Sequence, residues 1–171
     1  MNTGRFDFFC GGITIPSRKT ESAKLFRKGS NGIEFFTSQV LYNGNKIKKM
    51  LKHYDDICEK NGVMPRRILL SFAPVSSKKN IDFLKWLGVE IPENTEHRLN
   101  QDPENMSNVS LEIASEILKD ILQNNEEKEI TVPIGLNVEH IMSYNFQSSI
   151  NMLQKLSRIY REFCIKTSLY D

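Results

Sequence analysis

The stretch that decides the fold is residues 33–40, which read Ile-Glu-Phe-Phe-Thr-Ser-Gln-Val. This nearly continuous run of apolar and β-branched residues is typical of a strand covered on both faces, as strands of parallel sheets are. Asn31 and Gly32 precede the run and an Asn-Gly-Asn turn at 43–45 follows it. Residues 33–40 are therefore predicted to form a buried strand of a parallel sheet.

Three other segments show the same kind of pattern. Residues 6–15, 67–74 and 130–138 are short and rich in apolar, aromatic or β-branched residues. Each is followed by a helical pattern, and parallel neighbours need such right-handed crossover connections. The sequence thus predicts an α/β fold of four parallel βα units, which fits either a small doubly wound sheet or half of a (β/α)8 barrel.

The predicted helices carry apolar residues three and four positions apart. They cover residues 21–28, 46–60, 111–122 and 148–163. A further helix is expected after Ser76 and Ser77, with Gly88 as its end. Residues 90–110 are polar and are predicted to be a loop with room for one helical turn.

Composition narrows the function classes. The chain has 171 residues, of which 39% are hydrophobic and 26% charged, as in ordinary globular proteins. Its net charge of +2 argues against electrostatic binding of nucleic acid. No apolar run approaches the roughly 20 residues that cross a bilayer, and the first nine residues show no signal peptide. We expect neither a nucleic acid nor a membrane partner.

The cysteines predict a reducing compartment. Cys10, Cys58 and Cys164 are odd in number, far apart and without CxxC spacing, so neither a disulfide framework nor a metal site is expected. Cys10 lies in an apolar run and is predicted to be buried. Reduced thiols and the missing signal peptide together favour a cytoplasmic protein.

Four segments resemble the second half of the methylenetetrahydrofolate reductases. Residues 32–39, preceded by Lys28, are similar to the sixth barrel strand of that family, which ends in Thr-Gln. Residues 69–76 resemble the seventh strand with its Pro-Val, and residues 133–139 the eighth strand with its Leu-Asn. Residues 83–92 resemble a divergent branch of the family.

This resemblance implies a fold and an activity. The fold is the C-terminal half of a (β/α)8 barrel, with residues 1–171 as one half-barrel domain that is incomplete without an N-terminal half. The activity is transfer of hydride from NAD(P)H through FAD to methylenetetrahydrofolate. The implied partners are a folate-like substrate and either a complementary half-barrel chain or a second copy. The alternative is a non-catalytic half barrel that binds flavin or a pterin.

The resemblance also implies site residues. Gln39 and Asn137 stand at the ends of strands, where barrel enzymes hold their substrates, and are the candidates for substrate binding. The candidates for binding FAD are Gly12, Glu21, Lys24 and Lys28. No catalytic residue is assigned, because the family's catalytic carboxylate belongs to the N-terminal half.

Three positions depart from the family pattern. Ile15-Pro16 stands in place of a His-Pro pair that touches the flavin. Lys78 stands where an aromatic residue usually follows Pro-Val-Ser, which removes a stacking surface for the substrate. Val138 stands in place of an Arg that grips the glutamate tail of the folate.

Two spatial expectations follow from the half-barrel interpretation. Gln39, Pro74 and Asn137 should open onto one cleft, with Gly12 and Lys28 on its flavin side. A second set of residues should point inward, towards the missing half of the barrel. These inward residues are expected to be Phe8, Phe36, Leu70 and Ile134.

Overall fold

The sheet and helices alternate along the chain, as the computed structural model shows for residues 8–168. The strands are β1 (Gly11–Thr14), β2 (Phe35–Ser38), β3 (Arg67–Phe72) and β4 (Ile134–Val138). The helices are α1 (Glu21–Ser30), α2 (Gly44–Lys60), α3 (Lys78–Trp86), α4 (Glu93–Asn100), α5 (Met106–Glu127) and α6 (Phe146–Ser168), with a 3-10 turn at Ser143–Asn145. The predicted strand at 6–15 begins outside the described residues.

The four strands form one parallel sheet in the order β1-β2-β3-β4. The predicted parallel βα units, with neighbouring strands side by side in sequence order, are confirmed. Asn43 caps α2 with a 2.7 Å hydrogen bond from Asn45 N to its side-chain oxygen. The predicted turn at 43–45 is therefore the first turn of that helix.

One face of the sheet carries the core. The registered row of Gly12, Phe36, Ile68 and Ile134 lies on this face, and its three large side chains are buried in one cluster with apolar residues of the helices. The expectation that Phe36, Leu70 and Ile134 face a missing half is therefore wrong. Alternate residues of a strand point to opposite faces, and these lie under the helices.

The other face is open. The registered row there is Ile13, Thr37, Leu69 and Gly135. Ile13 is 69% exposed, and Thr37 and Leu69 are half-buried. Leu69 lies across Gly135, where a Cβ atom would stand 2.5 Å from Leu69 Cδ2. Phe8, the remaining member of the expected inward set, precedes β1 and is exposed.

The free edge of β1 is covered by a lysine. Thr14 O accepts a hydrogen bond from Gln39 N of the neighbouring strand at 2.8 Å, so the alternate carbonyl of Ile13 points to the free edge. Lys28 Nζ donates to Ile13 O at 2.9 Å. A charged side chain on an edge strand hinders pairing with another chain.

The free edge of β4 is covered in the same way by a tyrosine. Pro133 O accepts from Ile68 N of β3 at 2.9 Å, so the carbonyl of Ile134 points outward. The Tyr160 hydroxyl donates to Ile134 O at 2.7 Å. Burial raises the pKa of Tyr160, so the phenol stays protonated and able to donate. Both outer edges of the sheet thus have a carbonyl bonded to a helix side chain.

The third unit differs from the prediction. The segment 90–110, predicted as a loop, contains α4 and the start of α5, and α5 is the crossover helix that packs on α2 and α6. Arg98 of α4 bonds Glu116 of α5, with Nη1 and Oε2 2.6 Å apart. The guanidinium holds the pKa of Glu116 below its usual range. Helices α3 and α4 thus form an insertion between β3 and its crossover helix, α5.

No helix within residues 8–168 combines the length and the apolar composition that crossing a membrane requires.

Candidate functional site

A cleft of about 220 Å3 lies at the carboxyl ends of the strands. Its floor comes from β1, β2 and the residues that follow them, and its walls come from the end of α3 and from the loop after β4. Four polar residues line it, Thr37, Ser38, Gln39 and Glu139, of which Gln39 brings an amide and Glu139 a carboxylate. The apolar residues that line it are Ile13, Ile15, Val40, Leu84, Leu87, Val89 and Ile141.

Gln39 is held at the floor of this cleft by its own backbone. Its N–H donates to Thr14 O, which extends the ladder between β1 and β2 by one residue. The side-chain Nε2 donates to Gly88 O at 3.2 Å, at the end of α3. An amide has two N–H donors and an acceptor oxygen, so this bond uses only part of its capacity.

Glu139 is positioned by β4 and by Asn137. Its N–H donates to Phe72 O at 2.8 Å, so the ladder between β3 and β4 also continues past the strand. Asn137 Nδ2 donates to Ser71 Oγ at 3.0 Å and lies 3.5 Å from Glu139 Oε1. Asn137 therefore does not line the cleft itself but contacts a residue that does.

Glu21 lies in the protein interior. It is the first residue of α1 and is 1% exposed. Its Oε1 accepts hydrogen bonds from Ile15 N at 3.0 Å and Thr14 Oγ1 at 3.2 Å. Its Oε2 is buried, and among residues 8–168 it has no hydrogen-bond partner. The carboxylate thus fixes the turn between β1 and α1.

The residues predicted to hold FAD fit that group only in part. A Cβ atom at Gly12 would stand 3.0 Å from the Phe36 ring, so the protein's own core fills that side of the glycine. A buried Glu21 carboxylate does not suit a pyrophosphate, which is also an anion. Lys24 and Lys28 on α1 are half-buried and supply suitable positive charge. Gly12 and Lys28 lie outside the cleft that holds Gln39.

A second polar cluster joins the loops after β3 and β4. Pro74, expected in the cleft, is buried, and its carbonyl accepts from Asn145 Nδ2 at 3.2 Å. Ser76 Oγ donates to Asn145 Oδ1 at 2.6 Å, and Asn80 Nδ2 donates to the Tyr144 hydroxyl at 2.6 Å. Sequence reasoning missed Asn80, Tyr144 and Asn145, which lie six to eight residues beyond the strands that precede them.

Comparisons with known proteins find one matching family and a similar solved structure. The family model described as methylenetetrahydrofolate reductase matches residues 11–157. A search of curated proteins finds no match. A solved structure of an uncharacterized protein from Clostridium thermocellum, described as binding two copies of 5-methyl-5,6,7,8-tetrahydrofolic acid, has a TM-score of 0.75 and 25% identity.

That structural match covers 90% of this chain and 54% of the Clostridium thermocellum chain, so this chain spans about half the length of its neighbour. Coverage of about half of the neighbour's chain agrees with the predicted fold class. The interpretation as half of a (β/α)8 barrel is confirmed. The family model covers most of the sequence, from β1 into α6. The chain belongs to the methylenetetrahydrofolate reductase family.

Proposed function

We propose that this chain supplies the folate-binding C-terminal half of a flavin-dependent reductase that converts methylenetetrahydrofolate to methyltetrahydrofolate. The observation that carries the proposal is the cleft at the strand ends, which Gln39 and Glu139 line together with apolar residues. The carboxyl ends of the strands are where barrel enzymes carry out their chemistry. The family match makes a folate-like ligand the first candidate.

The chemistry of the cleft suits a pterin. The edge of a pterin ring presents both N–H donors and a carbonyl acceptor, which a Gln amide and a Glu carboxylate can pair with. The apolar side chains, among them Leu84 and Leu87, can cover the faces of the ring. The cleft volume of about 220 Å3 is below the roughly 300–1,000 Å3 of typical ligand pockets, as expected where one half of a barrel supplies part of the walls.

The complete reaction needs groups beyond this half. FAD, when bound, relays hydride from NAD(P)H to the folate. In our proposal Lys24 and Lys28 contribute positive charge towards its phosphates, and the remaining contacts come from a complementary half barrel or a second copy of this chain. Lys28 must then leave Ile13 O, which it contacts at 2.9 Å. We also propose that the protein is located in the cytoplasm.

The alternative function is a half barrel that binds a pterin or flavin without turnover. The partial fit of the FAD candidates favours this alternative. The Phe36 ring fills the space beside Gly12, and the Glu21 carboxylate accepts hydrogen bonds from Thr14 and Ile15. The two functions differ in whether NAD(P)H is oxidised. Flavin released from the purified protein, together with NAD(P)H oxidation in the presence of a complementary half barrel, supports the reductase. Folate binding without either result supports the binding module.

Calorimetric titration with 5-methyltetrahydrofolate tests the folate site. Gln39→Ala should weaken binding by about 1–3 kcal/mol, because the substitution leaves a polar group of the ligand unpaired in the cleft. Gln123→Ala is the matched control. Gln123 is exposed on α5, and within residues 8–168 its side chain bonds Glu127 alone. Absence of binding by the unmodified chain, or equal affinity of Gln39→Ala, contradicts the proposal.

A further inference from the structure

Helices α1 and α2 end on the same dipeptide in the same backbone geometry. Asn31 and Asn61 are the residues after the two helices, and the glycines that follow them have positive φ, 96° at Gly32 and 63° at Gly62. In both turns the N–H groups of the asparagine and of the glycine donate to carbonyl oxygens of the last helical turn. The two turns form a matched pair, so a difference in their reactivity has to come from outside the dipeptide.

An asparagine that precedes a glycine can lose its side-chain amide nitrogen. The backbone nitrogen of the glycine attacks the side-chain carbonyl carbon Cγ, so a C–N bond forms. The bond between Cγ and Nδ2 breaks, and ammonia leaves with the proton of the attacking nitrogen. Water then opens the cyclic imide at either carbonyl, which leaves aspartate or isoaspartate. Glycine favours the attack because it has no Cβ atom to obstruct close approach.

The side-chain amides of the two asparagines differ in their bonding. Asn61 Nδ2 donates to Ile57 O at 2.7 Å, so the helix holds the group that has to leave. The Asn31 side chain has no hydrogen-bond partner within residues 8–168, and both Asn31 and Gly32 are exposed. Rotation of the Asn31 amide towards the Gly32 nitrogen therefore breaks no side-chain hydrogen bond.

The last turns of the two helices differ in the same direction. The buried residues of α1 are Glu21 and Leu25, both before its last turn, which contains Gly29. The last turn of α2 contains the buried Cys58. Glycine is a weak helix former, and a helix end without buried side chains opens readily. Opening frees the Gly32 N–H from Gly29 O, to which it donates at 3.2 Å, and so releases the nitrogen for attack.

A third Asn-Gly pair, at the start of α2, is held at both of its residues. Asn43 is the N-cap, and its side-chain oxygen accepts from Asn45 N at 2.7 Å. Gly44 is buried, and a Cβ atom there would stand 2.8 Å from Asp120 Oδ2. The attack at this pair would have to break the helix cap in a crowded place, so its amide is protected.

We infer that Asn31 is a site of spontaneous deamidation, at which the folded chain exchanges a side-chain amide for a carboxylate, while Asn43 and Asn61 keep their amides. The inference does not depend on the proposed function. Asn31 precedes β2 and so lies at the amino ends of the parallel strands, opposite to the cleft. The isoaspartyl product presents a backbone-derived carboxylate, which is the chemical group that isoaspartyl methyltransferases esterify.

The test incubates the purified chain in mildly alkaline buffer and follows the three Asn-Gly peptides by mass spectrometry. In the folded chain the Asn31 peptide should lose its amide on the order of tenfold faster than the Asn61 peptide, as expected from the hydrogen bond that holds Asn61. In urea the three peptides should react at similar rates. Equal rates in the folded chain, or faster loss at Asn43 or Asn61, overturn the inference. An order that persists in urea also overturns it, because the fold is then not the cause.

A variant assigns the product to its site. Asn31→Gln lengthens the side chain by one methylene group, which disfavours ring closure, and its exposed position has no side-chain bond to lose within residues 8–168. Isoelectric focusing and methyl transfer by an isoaspartyl methyltransferase should show the acidic, isoaspartyl form accumulating in the unmodified chain and not in Asn31→Gln. Equal accumulation in both proteins contradicts the assignment. Circular dichroism shows that the variant keeps the fold.

Discussion

The two faces of the sheet are built from similar residues and have opposite surroundings. Phe36 is fully buried under the helices, whereas Ile13 on the open face is 69% exposed. Phe35 also lies on the open face, where Phe9 stacks on it with ring centroids 5.3 Å apart. The hydrophobicity of a strand residue thus does not decide its burial. The helix layer decides it, and within residues 8–168 this layer covers one face only.

This comparison separates two contributions to stability. The covered face belongs to a core that the chain completes by itself, with Leu70, Ile68 and Phe72 fully buried. The open face exposes apolar area that only another polypeptide segment or a ligand can cover. At about 25 cal/mol per Å2 of apolar surface removed from water, covering this face stabilises an assembly rather than the isolated chain.

The largest expected effect is a difference in unfolding free energy between the faces. Phe36→Ala should lower the free energy of unfolding by about 3–5 kcal/mol, because it leaves a cavity in the core. Ile13→Ala should change it by about 0.5 kcal/mol or less, since the side chain is largely in water already. Urea unfolding of the isolated chain measures both. Equal losses of unfolding free energy at the two positions would contradict the difference between the two faces.

An intermediate effect is expected at the outer edge of β4. Tyr160→Phe deprives Ile134 O of its 2.7 Å hydrogen bond and should lower the free energy of unfolding by about 1 kcal/mol. It also leaves a free carbonyl on an edge strand, which favours association with another chain. Urea unfolding and sedimentation measure the two effects. Wild-type stability together with a wild-type sedimentation profile would show that the edge needs no cover.

The smallest expected effect is in thiol reactivity. Cys58 is buried on the covered side, and burial raises the pKa of its thiol, so little reactive thiolate forms near pH 8. Cys10 precedes the first strand and is half-buried rather than buried as predicted. A thiol reagent should label Cys10 before Cys58 in the folded chain and both alike in urea. Faster labelling of Cys58 would contradict the burial of that face.

The existence of the elements could be predicted from the sequence, whereas the sheet faces and α4 could not. Short apolar runs such as residues 67–74 predict strands, because buried strands of parallel sheets commonly have such sequences. The continuous apolar run in 33–40 conceals which residues alternate towards the helices, so Phe36 was assigned to the wrong face. Helix α4 (Glu93–Asn100) buries only Leu99, and one buried residue gives no helical periodicity.

The candidate site divides in the same way. The place of Gln39 at the end of its strand could be predicted from the family motif and the structure puts it in the cleft, whereas its role in substrate binding stays a prediction. The bond between Asn80 and Tyr144 joins residues 64 positions apart, and no local pattern in the sequence indicates such a pairing. The sequence alone does not show that the Glu21 carboxylate accepts hydrogen bonds from Thr14 and Ile15, so the burial of Glu21 could not be predicted.

The insertion of α3 and α4 has a consequence for how the chain folds during synthesis. Strands β1, β2 and β3 follow one another closely, so each can pair soon after it leaves the ribosome, whereas β4 comes only after three helices. At roughly 5–20 residues per second of synthesis, one edge of β3 stays unpaired for several seconds before Ile134 is synthesised and can pair with Ile68. During that interval the backbone groups of this edge are unpaired, and an unpaired edge is a template for pairing with another segment.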